Sequence, residues 1–140
     1  MPSNFAVARN VSFKLALVVF LGLLAVTIGG CRTAPIKDIP RTPVPARGAS
    51  MAEVAKAIKV AGAGLGWVMK EKSPGLMIGT LYVRDHMAQV EIPYSTSSYS
   101  IRYKDSSNLK YNATNKTIHS NYVGWIQNLN NAIRVQLSMI

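Results

Sequence analysis

From Trp67 to Lys104 apolar and polar residues alternate in short runs, and stretches with helical spacing of apolar residues stand on either side. A period of two puts every second side chain on one face of an extended strand, so helices alone cannot satisfy it. Trp67 to Lys72 and Leu76 to Arg84 flank the turn cluster Ser73-Pro74-Gly75. Met87 to Pro93 alternates Ala88, Val90 and Ile92 with Gln89 and Glu91. Tyr99, Ile101 and Tyr103 then alternate with Ser100, Arg102 and Lys104. Antiparallel strands with one solvated face read this way. The short links Arg84-Asp85-His86 and Tyr94 to Ser98 favour a meander over crossovers.

A helix is predicted before the strands. Ser50 and Glu53 match the S-x-x-E capping box. Met51, Val54, Ala55, Ile58 and Ala61 recur at three- and four-residue spacing, with Lys56 and Lys59 on the other side. Gly62, Gly64 and Gly66 end it. That glycine run follows no strand and lacks the spacing of a nucleotide-binding loop. Asp105 to Lys116 is polar and reads as a loop. A second helix follows, capped by Thr117 or Ser120, with Tyr122, Trp125, Ile126, Leu129, Ile133 and Leu137 as its apolar stripe. The expected fold is α+β: helix, four-stranded antiparallel meander, helix, with both helices on one face as a two-layer sandwich.

Cys31 is the single cysteine and divides the chain. Before it, Arg9 and Lys14 precede an uncharged apolar run of 14 residues, Leu15 to Ile28, followed by Gly29 and Gly30. That is an export-signal layout, and the run is short of the roughly 20 residues of a membrane-spanning helix. Ile28-Gly29-Gly30-Cys31 resembles the bacterial lipobox. The resemblance implies cleavage between Gly30 and Cys31 and acylation of Cys31. Two or three acyl chains would hold a protein firmly, where one gives only marginal attachment. Residue 32 is arginine and not the aspartate that resembles an inner-membrane retention signal, so the periplasmic face of the outer membrane is the expected address.

Arg32 to Gly48 carries Pro35, Pro40, Pro43 and Pro45 and four basic residues against Asp38. This composition predicts a disordered tether reaching up to ~50 Å from the membrane in polyproline geometry. The expected layout is a signal peptide at 1–30, a lipidated N-terminus and tether at 31–49, and one α+β domain at 50–140.

A further resemblance covers about 40 residues. Tyr99-Ser100-Ile101-Arg102-Tyr103, Asn108-Leu109-Lys110-Tyr111 and Ile118-His119-Ser120-Asn121-Tyr122, continuing through Trp125-Ile126 and Asn128-Leu129, resemble small proteobacterial lipoproteins of unassigned function. The resemblance implies an envelope address and a small α+β domain. It supplies no catalytic residues.

The chemistry-bearing residues are sparse. His86 and His119 are the only histidines and Cys31 is claimed by lipid, so no set of about four zinc ligands is in view. The serines from Ser95 to Ser100 lack a nucleophile elbow. Glu53, Glu71, Asp85, Glu91 and Asp105 fall on separate elements. These patterns predict neither a catalytic residue, a metal nor a cofactor. Charge is more informative. Of 16 Lys and Arg and 6 Asp and Glu, only Arg9 and Lys14 precede Cys31, which leaves +8 from residue 31 onward. An exported domain rarely meets nucleic acid, and no nucleic-acid motif is present. The expected partners are the membrane, through lipid on Cys31, and an anionic envelope polymer or protein. Alternation places Lys70, Lys72, Arg102 and Lys104 on the outer sheet face as a binding surface. A second reading gathers Tyr94, Tyr99, Asn108, Tyr111 and Asn121 into a pocket for a glycan or wall fragment, with a hydrolytic activity as its extension.

Overall fold

The computed structural model describes residues 32–140. Cys31, the Gly30–Cys31 junction and the signal segment lie outside the described residues. The elements run β1 (Thr33–Pro35), β2 (Ile39–Pro43), α1 (Met51–Gly64), β3 (Val68–Ser73), β4 (Leu76–Val83), β5 (His86–Pro93), β6 (Ser98–Ser107), β7 (Thr117–His119) and α2 (Ser120–Leu137). Strands β3 to β6 pair consecutively and antiparallel, as the alternation predicts. The sheet is nevertheless five-stranded, in the order β2-β6-β5-β4-β3, and β1 pairs with β7 in a second, two-stranded sheet. The fold is α+β with two helices among the described residues. None of these helices is long and apolar enough to cross a membrane.

The largest departure from expectation is at residues 32–48. The stretch expected to be a free tether supplies β1 and β2, and the compact unit begins at Arg32 rather than near residue 50. Extended chain was the right local conformation, but here it is paired. Ile36 donates its N–H to the Lys116 carbonyl at 2.8 Å, and Val44 to Ser97 at 2.9 Å. The Asp38 carboxylate accepts the Tyr103 N–H at 2.9 Å. Between exposed prolines, Ile36, Ile39 and Val44 lie against the core. Proline cannot donate to a ladder, which confines it to edge strands. Strand β2 is such an edge, and Pro40 and Pro43 limit further pairing along it.

Both helices cover the sheet face that carries Met77, Leu81, Ala88, Val90, Ile92, Tyr99 and Ile101. Helix α1 begins with the predicted capping box. The Ser50 hydroxyl accepts the Glu53 N–H at 3.2 Å, and the Glu53 carboxylate accepts the Ser50 N–H at 2.8 Å. It buries Val54, Ala55, Ile58 and Ala61, and α2 buries Tyr122, Ile126, Leu129, Ile133 and Leu137. Those side chains form one cluster with the sheet. Gly75 is required twice over. Its φ is +86°, and a Cβ there would stand 3.2 Å from the Tyr94 carbonyl.

The polar stretch after Asp105 is more ordered than a loop. Strand β6 continues to Ser107, Asn112 bridges Thr117, and Leu109 is buried. Thr117 belongs to β7, so neither it nor Ser120 caps α2. His119 does: its Nδ1 accepts the Asn121 N–H at 3.2 Å. The His86 ring stacks on His119 at 6.2 Å, and its Nδ1 lies 2.8 Å from the Asn108 carbonyl.

Candidate functional site

The sheet face away from the helices is built from the polar half of each alternating strand. Register places Lys70, Ile78, Glu91 and Arg102 in one row across β3, β4, β5 and β6. Val68, Thr80, Gln89 and Asp105 form the next row. Lys70 and Arg102 are thus separated by three strand spacings, roughly 14 Å. An irregularity opposite Gln89 and Val90 leaves Lys104 as the extra residue on β6. Its ammonium reaches back to Glu91 at 2.9 Å. Lys72 is the extra residue of the Glu71–Ser73 irregularity in edge strand β3.

Glu91 is therefore the central charge of this face. The Lys104 hydrogen bond, with Lys72 and Arg102 nearby, holds its carboxyl below the ordinary value of 4.5. The four cations against Glu91 and Asp105 leave this surface at +2. Between β3 and β5 lies a shallow depression of about 460 Å³, lined by Val68, Lys70, Ile78, Thr80, Tyr82 and Gln89. Gln89 donates to the Thr80 hydroxyl at 3.1 Å. Tyr82 is 68% exposed, the most open of the large apolar side chains in the described residues. Sequence reasoning located the cations and turned Glu91 outward, but missed the Glu91–Lys104 pair and Tyr82. The alternation at Tyr82 was signal enough, since Leu81 before it points inward.

The five residues of the polar-aromatic pocket do not converge. Tyr94 and Tyr99 are buried partners across the β5–β6 turn. The Tyr94 hydroxyl donates to Glu71 at 2.6 Å, and the Tyr99 hydroxyl to Asn130 at 2.7 Å. Burial pushes the Tyr99 phenol up to about 12. Asn108 braces the β4–β5 turn by donating to the Asp85 carbonyl at 2.9 Å. Tyr111 stacks on Tyr103 at 4.6 Å, and Asn121 is exposed on the first turn of α2. No depression described for the structure is lined by more than two of the five. Residues with matching polarity and ring character in sequence were assigned to one place, whereas pairing sends them to opposite ends of the sheet.

A wider depression, about 820 Å³, lies between β2 and the C-terminal half of α2. Pro40, Pro43 and Val135 form its walls, with Asn130 and Arg134 as polar groups. The alternating strands did not announce it, because its β2 side comes from the segment expected to be mobile. Among the described residues no three His, Cys, Asp or Glu side chains approach closely enough to hold a metal ion.

Three carboxylates tie the fold to pH. Glu53 is lowered by the Ser50 N–H and hydroxyl, Glu71 by the Tyr94 hydroxyl and then Lys59, and Glu91 by Lys104. A carboxylate whose folded pKa is depressed stabilises the fold above its unfolded pKa and loses that contribution as pH falls through the folded one. The melting temperature should hold level above pH 4.5 and then decline as these groups protonate. A melting series by circular dichroism checks this; a level profile down to roughly pH 3 would contradict the three ion and hydrogen-bond pairs.

Compared with family models, curated proteins and solved structures, the chain matches none.

Proposed function

We propose that this chain is a lipid-anchored protein of the bacterial envelope, held by acyl groups on Cys31 at the periplasmic face of the outer membrane. Its domain acts as a non-catalytic adaptor whose basic sheet face engages an anionic envelope polymer or acidic protein. The observation that carries this reading is the charge of the uncovered face. Lys70, Lys72, Arg102 and Lys104 share it with one central carboxylate, Glu91, which accepts a hydrogen bond from Lys104 alone among them. The helices cover the opposite face, so these cations stay available to a partner. The lipobox resemblance supports the address.

Lipopolysaccharide micelles are a suitable phosphorylated probe for the full chain. Binding should weaken steeply as salt screens the charges. Changing Lys70, Lys72, Arg102 and Lys104 together to glutamate removes about 1 kcal/mol of attraction per cation, weakening binding roughly a thousandfold. Glu91→Gln should do the reverse and tighten it, since one central negative charge is lost. All four cations are exposed in the structure, so circular dichroism should show the variants folded. Unchanged binding by the glutamate variant would overturn the assignment of this face.

A further inference from the structure

The structure moves the folded domain up to the residue next to the proposed anchor. Strand β1 starts at Thr33, and the Arg32 carbonyl already accepts the Ser120 N–H at 2.8 Å. A chain spans at most about 3.5 Å per residue, so the first paired strand begins within roughly 7 Å of chain from Cys31. A lipid on Cys31 would therefore hold one end of the domain against the membrane, with no spacer between them.

That end is defined by connected loops. Arg84 and Asp85 form the β4–β5 turn, which Asn108 braces; His86 stacks on His119; and the His119 N–H bonds to the Leu109 carbonyl at 2.7 Å. The Lys116 carbonyl takes the Ile36 N–H at 2.8 Å, fastening the same loop to the entering chain. Arg32, Arg84, Lys110 and Lys116 are all exposed here, and Asp85 is the one carboxylate these segments carry. Exposed Tyr111 lies between the lysines in sequence, and Tyr82 stands two residues before Arg84. Tyrosine and basic residues together suit the boundary between headgroups and water.

The backbone adds a separate observation. Four non-glycine residues have positive φ in the described structure: Arg84 at 57°, Asn108 at 55°, Lys110 at 52° and Lys116 at 49°. Arg84 and Asn108 meet at this end, and Lys110 and Lys116 belong to the loop joined to it through Leu109 and His119. A two-residue hairpin with positive φ at its first position favours glycine there, and asparagine tolerates this region better than lysine or arginine. Three cations thus occupy positions where their side chains do nothing for the turn. Residues kept in such conformations concentrate at sites that use them.

We infer that this pole, with Arg32, Arg84 and the loop that carries Lys110, Tyr111 and Lys116, lies on a bilayer surface and binds anionic phospholipid headgroups. The inference rests on the Cys31 anchor for its geometry. The basic sheet face then stands to the side, free for a partner.

Hydrogen exchange on the full chain, purified from membranes of an expressing bacterium, tests it. The chain is placed in phosphatidylcholine vesicles and in vesicles containing phosphatidylglycerol. Amides of residues 84–86 and 109–117 should exchange several-fold more slowly on the anionic vesicles, while those of residues 95–98 at the opposite end stay unchanged. The variant Arg84→Asn/Lys110→Asn/Lys116→Asn suits the same backbone angles and should fold at least as stably, yet lose that protection. Equal protection on both vesicle types, or protection at residues 95–98 instead, overturns the inference. The mass of Cys31 reads the anchor separately. An unmodified Cys31 with charge-dependent protection still at the pole would defeat the lipid anchor and support the pole.

Discussion

Deleting residues 32–45 should leave a domain that melts far below the intact chain. Were the segment a tether, its removal would change nothing beyond the reach of the domain. In the structure it closes one side of the core: Ile36, Ile39 and Val44 pack against the buried cluster, and β2 pairs with β6 at Ile39↔Ile101 and Thr42↔Tyr99. Its removal exposes the edge of β6 and strips β7 of its partner β1. Three half-buried aliphatic side chains contribute roughly 1 kcal/mol or more each, half the value for full burial. Uncovering Tyr99, Ile101 and Ile118 adds to this. A loss of about 4 kcal/mol is a large share of a net stability of roughly 5–15 kcal/mol, and lowers Tm by about 15 °C or more. Thermal melting of the deleted and intact chains decides it. A Tm within a few degrees of the parent would mean that the pairing is dispensable. Ile39→Asp offers a milder version of the same test, because it puts a charge against the core without shortening the chain.

Tyr99→Ala should be the most damaging single truncation in the sheet, costing about 3–5 kcal/mol. Tyr99 is 2% exposed and lies where three parts of the fold meet. It is the register partner of Thr42 on β2, bridges Tyr94 after β5, and donates its hydroxyl to Asn130 on α2. Removing the ring leaves a cavity at a junction whose neighbours belong to different elements, so they cannot all collapse into it. Tyr99→Phe keeps the ring and removes only the hydrogen bond. It should cost about 1 kcal/mol, since Asn130 is partly exposed and water can replace the lost donor. Denaturant midpoints for both variants separate the two contributions. A Tyr99→Ala loss no larger than that of Tyr99→Phe would show that the ring is not structural.

Much of this architecture was legible in local pattern. The Ser50–Glu53 box predicts the start of α1, and the stripe from Tyr122 to Leu137 is the buried face of α2. Alternation correctly turned Ala88, Val90 and Ile92 inward and Glu91 outward. These succeed because period and capping depend on residues a few positions apart. The failures share the opposite cause. Nothing within Ile39-Pro40-Arg41-Thr42-Pro43 reveals that Tyr99 and Ile101 await a partner some 60 residues on. Proline content reads the same in a solvated chain and in an edge strand. The N-cap of α2 was misplaced because histidine is an unusual acceptor there. The proposed aromatic pocket dissolved because pairing sends Tyr94 and Tyr99 to one end of the sheet, and Asn108, Tyr111 and Asn121 to the other.

The class of fold, the inward and outward faces of each strand and the excess of positive charge are written in residue type and short-range spacing. Where the domain begins and how its charges are arranged emerge with tertiary pairing. It drew residues 32–48 into the fold, set Glu91 among the outer cations, and joined the β4–β5 turn to the loop after β6 through Asn108. Such groupings depend on which distant segments satisfy one another's backbone hydrogen bonds and cover one another's apolar surface. That is a property of the closed chain rather than of any window along it.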